Sequence, residues 1–178
     1  GEDFDINGTG FRSMSDPNSK GDPDTYFGVN WATGPNDNGG VHTNSGVQNY
    51  WFYLLSVGGV GTNDNNFTYN VTGLGIDTAA AIAYRNLTVY LTQSSTYWDA
   101  RVGAIQSAED LYGPCSNAVI QTAKAWEAVG VGFAIEDNDL AILSIDNPST
   151  ACGLTTTENI IIQIRNNGCA VDLLAGDT

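Results

Sequence analysis

Between Ile76 and Leu91 the apolar residues recur with the period of an α-helix. Ile76, Ala79, Ala80, Ala83, Tyr84, Leu87, Tyr90 and Leu91 keep an i, i+3, i+4, i+7 pattern, which lines them up on one stripe of a helix surface. A stripe of this length has to be buried, so the chain must supply partners for it. Val47, Tyr50, Trp51, Leu54 and Val57 form an earlier stripe that stops at Gly58-Gly59. Trp98, Val102, Ile105, Ala108 and Tyr112 form a third, opened by Thr96 and Asp99 at the spacing of a capping box and closed by Gly113-Pro114,. Val119, Ala123, Trp126 and Val129 form a fourth, which ends at Gly130. Four amphipathic helices with short connections predict a helical bundle. Residues 60–75 read as a loop or a short hairpin.

The flanks differ from this centre. Residues 1–40 carry "NGTG", "SDPNSKGDPD" and "GPNDNGG", which is turn chemistry and predicts a long irregular segment. A segment of that length is functional or pinned by ligands. Past residue 132 the chain turns polar and acidic, so 133–138 reads as a linker. "LAILSI" and "ENIIIQIRNNG" are short, β-branched and bounded by Asn, Gly and Pro, and both read as strands. Two strands make no stable sheet alone. Residues 139–178 are therefore expected to be the start of a truncated β-sandwich-like module, or a hairpin packed on the bundle. The fold class is mainly α: a helical bundle preceded by a long irregular segment and ending in a short β tail. The abrupt opening "GEDFDINGTG" suggests the interior of a longer precursor.

Charge narrows the function. Six Lys and Arg stand against 20 Asp and Glu, a net charge of −14. Such a surface repels nucleic acid and anionic membrane, and no basic patch offsets it. No run of about 20 apolar residues is present to span a bilayer. The acid excess suits solubility, and it suits calcium, a cation that takes oxygen ligands. Cys115, Cys152 and Cys169 include no CxxC pair, and a single histidine cannot complete a Cys-His zinc site,. Cys152 and Cys169 either pair in an oxidising compartment or remain thiols.

That single histidine, His42, lies in "DNGGVH". Asp37 precedes it by five residues, across a Gly-Gly turn able to fold the carboxylate back. A carboxylate bonded to an imidazole fixes its tautomer and favours its protonated form. An imidazolium beside a cleft stabilises a developing oxyanion. Arg12, in "FRSMSDP", is a second candidate, since a guanidinium holds a carbonyl or carboxylate in fixed geometry. The bland alternatives are a hydrogen-bonding histidine in a turn and a structural salt bridge for Arg12. HExxH, GxSxG, GxGxxG and the P-loop are all absent,. The chain carries candidate transition-state stabilisers without a visible nucleophile or metal site.

"RSMSDP", "GDPDTY" and "DNGGVHTNSGVQNYWFYLL", then in order "VTGLGIDTAAAIAYRNLTVYLT", "AIQSAEDLYG" and "AWEAVGVG", resemble the C-terminal half of the thermolysin-like neutral metalloproteases over about residues 1–132. The resemblance implies a secreted, extracellular bacterial zinc endopeptidase with two halves around a cleft. Its partner is an N-terminal half that precedes Gly1 and holds zinc through HExxH; its substrate is a peptide or protein. It implies that His42 hydrogen-bonds the tetrahedral intermediate, that Asp37 orients the imidazole, and that Arg12 binds a substrate carbonyl. Phe11 replaces the usual Leu of the P1′ pocket and is expected to narrow or reshape it. Glu2 matches a family calcium ligand, so calcium is a possible second cofactor. The isolated chain, lacking HExxH, is expected to be inactive.

Two other readings compete. One is a non-catalytic peptide-binding or interaction module on the same scaffold, which has no need of His42, Asp37 and Arg12 together. The other is a self-contained hydrolase built from Asp37, His42 and a serine such as Ser45, which lacks a nucleophile elbow.

Overall fold

The computed structural model describes residues 10–132, 140–147 and 160–166. Glu2, the linker at 133–138, Cys152 and Cys169 lie outside the described residues, as does much of 139–178. The chain divides into two compact units, residues 1–134 and 135–178.

The first unit is helical. A 3-10 turn at Pro17–Lys20 interrupts the irregular N-terminal segment. A kinked helical segment, α1 (Asp37–Asn44), leads through Ser45 into α2 (Gly46–Val57). Next is a hairpin, with β1 (Gly58–Thr62) antiparallel to β2 (Thr68–Thr72) and Gly58 opposite Thr72. Then come α3 (Ile76–Arg85), α4 (Tyr97–Tyr112) and α5 (Asn117–Ala128). Of the two readings for 60–75, the hairpin is the one that forms. The second unit shows an antiparallel pair, β3 (Leu140–Asn147) and β4 (Ile161–Asn166).

The core forms where α2 and α5 meet. Trp51 and Trp126 stack with ring centroids 4.6 Å apart and planes 22° from parallel. Both are almost completely buried, as are Val47, Leu54, Leu55, Ile82, Val119 and Val129. Burying a large aliphatic side chain to this extent contributes roughly 1.5–3 kcal/mol, so this layer dominates the stability of the unit. The stripes expected for α2 and α5 supply most of it. Val57, at the C-terminal end of the α2 stripe, faces solvent.

Two stripes are corrected. The stripe from Ile76 to Leu91 does not run through one helix: α3 ends at Arg85, and Asn86–Tyr90 form a π-helical turn. The amide of Leu91 reaches back five residues to the Asn86 carbonyl, at 3.0 Å. The extra residue per turn rotates the downstream side chains out of the earlier phase. Within α3, ahead of that turn, the buried face is Ala79 and Ile82 while Ile76 and Tyr84 are exposed; Leu87, in the turn, is exposed as well. In α4 the expected stripe is also out of phase. Trp98, Val102 and Tyr112 are exposed, and the buried face is Ala100, Gly103, Ala104, Ser107 and Ala108. Close approach explains this choice of small residues. The Asn86 amide donates to the Ala100 carbonyl at 2.8 Å. A Cβ on Gly103 would stand 2.8 Å from the Tyr90 Cβ and collide with the Asn86 side chain. Where backbones come this near, large apolar residues are displaced to the outside. The cap expected at Thr96 and Asp99 is present, each side chain meeting the other's backbone N–H,.

Candidate functional site

The site is built on residues 31–45. Asp37, Asn38, Gly39 and Gly40 have φ of +54°, +49°, +84° and +85°. Four consecutive left-handed residues are accessible to an Asp-Asn-Gly-Gly sequence and costly for almost any other. They reverse the chain and bring the Asp37 carboxylate back against residues 42 and 43. Its Oδ2 accepts the His42 amide at 3.0 Å, the Thr43 amide at 3.1 Å and the Thr43 hydroxyl at 3.3 Å. Its Oδ1 bonds the imidazole Nδ1 of His42. These donors, the imidazole first and the Thr43 amide next, hold the Asp37 carboxyl down to about 2 from its ordinary 3.8. An ionised carboxylate only accepts, so the proton of the Asp37–His42 bond belongs to Nδ1. Nε2 is thereby left for a second partner. The His42 side chain is 73% exposed, against 28% for Asp37. The imidazole is fixed in direction yet open to solvent.

Arg12 reaches the same turn from 30 residues upstream. Its Nη1 donates to the His42 carbonyl at 2.7 Å and to the Ser45 hydroxyl at 2.7 Å. Asp22 Oδ2 lies 3.6 Å from that nitrogen. The salt-bridge alternative for Arg12 is thus partly realised, but the shorter bonds go to the His42 turn. Phe11 is 63% exposed, and the Arg12 guanidinium carbon lies 5.7 Å from its ring centroid.

Asn44 and Tyr97 carry no signal in the sequence. The Asn44 side chain clasps Ala32, accepting from its N–H at 2.8 Å and donating to its carbonyl at 3.0 Å. The Tyr97 hydroxyl donates to the Asn44 carbonyl at 2.7 Å. Burial pushes that phenol up to about 12, so it remains a donor at any ordinary pH. Tyr26, Trp31 and Tyr97 pack edge to face behind the turn, with centroids 4.9 and 5.5 Å from Tyr26. A cavity of about 410 Å³ opens there, lined among others by Tyr26, Trp31, Gly40, Val41, Ser45 and Tyr97. Asn44 ends a run already rich in Asn, so only its three-dimensional partner reveals its role.

Among the described residues no three His, Cys, Asp or Glu side chains come together as a metal site. Those residues do not fit a zinc centre. No helix among them is long and apolar enough to cross a membrane.

An imidazole oriented by a buttressed carboxylate thus stands beside a guanidinium tied to the same turn, on a helical scaffold. Comparison with known proteins identifies the family. Residues 1–131 match the family model of the thermolysin metallopeptidase α-helical domain. The chain is 49% identical to bacillolysin of Bacillus cereus over 124 residues, covering 70% of the chain and 21% of that protein. It is 48% identical to thermolysin of Bacillus caldolyticus and 41% identical to neutral protease B of Bacillus subtilis (strain 168). Each of those matches runs over 126 residues, 71% of this chain and 22% of the relative. The chain belongs to the thermolysin metallopeptidase family and carries its α-helical C-terminal domain. It aligns with only about a fifth of the length of these relatives.

Proposed function

We propose that this chain is the substrate-cleft half of a secreted zinc metalloendopeptidase that hydrolyses peptide bonds. Its partner is an HExxH-bearing half of the same polypeptide, where zinc is held. The observation that carries the proposal is the shared turn: Asp37 fixes the His42 imidazole by Nδ1, and Arg12 is bonded to the His42 carbonyl. In this reading His42 Nε2 donates to the scissile carbonyl oxygen as that oxygen takes on negative charge. A donor held in place before the reaction needs no reorganisation during it, and that is the source of its effect. Asp37 is the positioning residue that keeps the proton on Nδ1 and the ring aimed. Arg12 binds a substrate carbonyl on the leaving-group side. Phe11 lines the pocket for the residue after the cleaved bond, so cleavage is expected before bulky apolar residues. Calcium remains a candidate cofactor through Glu2. The chain alone, without HExxH, is expected to be inactive.

The test is His42→Ala in the enzyme that contains both halves. The kcat is expected to fall about a hundredfold or more, the loss typical of one oxyanion donor, with a much smaller change in KM. An unchanged kcat overturns the role. Preference for charged residues after the scissile bond, in a peptide panel, overturns the role of Phe11.

A further inference from the structure

Ser45 is the serine nearest His42 in sequence, yet its hydroxyl does not serve the imidazole. It donates to the His42 backbone carbonyl at 2.6 Å and accepts from Arg12 Nη1 at 2.7 Å. The same Nη1 donates to the same carbonyl at 2.7 Å. Guanidinium nitrogen, hydroxyl oxygen and carbonyl oxygen close a triangle of short bonds. A serine whose proton is committed to a backbone carbonyl is not a nucleophile activated by His42, which disposes of the Asp37–His42–Ser45 triad.

We infer that Ser45 is a positioning residue that clamps the Arg12 guanidinium to the backbone of His42, making the two groups one unit. The inference rests on the substrate-binding role proposed for Arg12. A guanidinium has five N–H donors. The clamp takes the two on Nη1. The competing partner is Asp22, whose Oδ2 is 3.6 Å from Nη1. Arg12 is a flexible side chain in an acidic surrounding, and a second anchor beside the carbonyl keeps it from relaxing onto that carboxylate. A hydroxyl suits the position because it accepts from the cation and donates to the carbonyl at once. A carboxylate there would neutralise the arginine. The Ser45 side chain makes no cap bond to α2, so the clamp can be removed without unpicking the helix start.

The experiment has two arms. In the 178-residue chain, 15N NMR of the Arg12 guanidinium should show hindered rotation and separate Nη signals in wild type and in Ser45→Thr. In Ser45→Ala the signals should average, while the His42 Nδ1–Asp37 proton resonance stays in place and reports an intact turn. In the enzyme containing both halves, Ser45→Ala should lower kcat/KM on the order of tenfold, as expected for one charge-assisted hydrogen bond. Ser45→Thr should restore it, and Ser45→Ala should add nothing in an Arg12→Ala background. Arg12 signals unchanged by Ser45→Ala overturn the clamp, as does a loss that adds to that of Arg12→Ala. If Arg12→Ala leaves hydrolysis intact, the substrate role of Arg12 fails, and the NMR arm still decides the clamp.

Discussion

Residues 10–45 and residues 46–132 keep their shapes by different means. The helical region is held by burial: Trp51, Trp126, Leu54, Leu55 and Ile82 are sealed from solvent. The loop region exposes its large apolar residues, including Phe11, Met14, Phe27, Val29 and Val41. Side chains bonded to distant backbone hold it together instead. Asn44 clasps Ala32, Asp64 accepts the Val29 amide at 2.7 Å, and Arg12 bonds the His42 turn. The difference bears on the role proposed for His42. A hydrophobic core fixes residues by hiding them, which would cost the imidazole the exposure it has in the structure. Polar bonds fix a group and leave one side of it open.

The comparison predicts unequal responses to substitution. Trp126→Ala removes half of the buried indole stack and is expected to destabilise the first unit by about 4 kcal/mol, the range for a large aromatic truncated in a core. Urea denaturation monitored by tryptophan fluorescence measures it. A loss below about 1 kcal/mol would mean that the stack is not the stabilising centre.

A smaller and more selective effect separates backbone strain from collision within the loop region. Gly39 and Gly40 have nearly the same φ, +84° and +85°. A Cβ on Gly39 meets nothing within 4 Å, while one on Gly40 falls 2.6 Å from Asn44 Nδ2 and 2.9 Å from the Ala32 Cβ. Gly39→Ala should cost only the left-handed backbone, about 1 kcal/mol. Gly40→Ala should cost about 2–3 kcal/mol, because it also pushes apart the Asn44–Ala32 clasp. Equal losses in paired thermal melts would show that the clasp contributes nothing.

The same contrast explains which parts of the molecule are legible in its sequence. The α2 and α5 stripes are legible because Trp51, Leu54, Val119 and Trp126 bury large side chains at helical spacing. The α3 and α4 stripes mislead because periodicity weighs large apolar residues, and the close approach at Gly103 selects small ones. The π-helical turn at Asn86 shifts the phase without any signal in hydropathy. At the site, the Asp37–His42 pair is legible because both ends lie in one short segment whose Gly-Gly turn brings them together. Ser45 reads from sequence as a possible nucleophile, and Asn44 and Tyr97 do not stand out at all. Their partners, Arg12, Ala32 and each other, are 12 to 53 residues away, and no local pattern announces a contact of that range.

The smallest expected effect, and the one that divides the two regions most cleanly, is the response to acid. The Asp37 carboxyl titrates at about 2 in the folded chain, against 3.8 for an unperturbed aspartate. A lowered folded value means that the bonds to His42 and Thr43 contribute stability in full above about pH 4. That contribution is lost as pH falls from there through 2, because the unfolded chain binds the proton first. Protonated, the carboxyl is a weaker acceptor, and the His42 and Thr43 amides lose their partner. Their 1H–15N shifts report the folded carboxyl and should therefore move together toward solvent-exposed values as pH falls from about 3 through 2. The Trp51 and Trp126 indoles are sealed in the core, and their resonances should hold until the whole unit unfolds. Amide and indole shifts that move in one shared transition would show that the loop and the core are a single cooperative structure. Amides that stay fixed well below pH 2, where the carboxyl is protonated, would show that the turn is held by its left-handed backbone rather than by the carboxylate. Either result would relocate the origin of the His42 geometry.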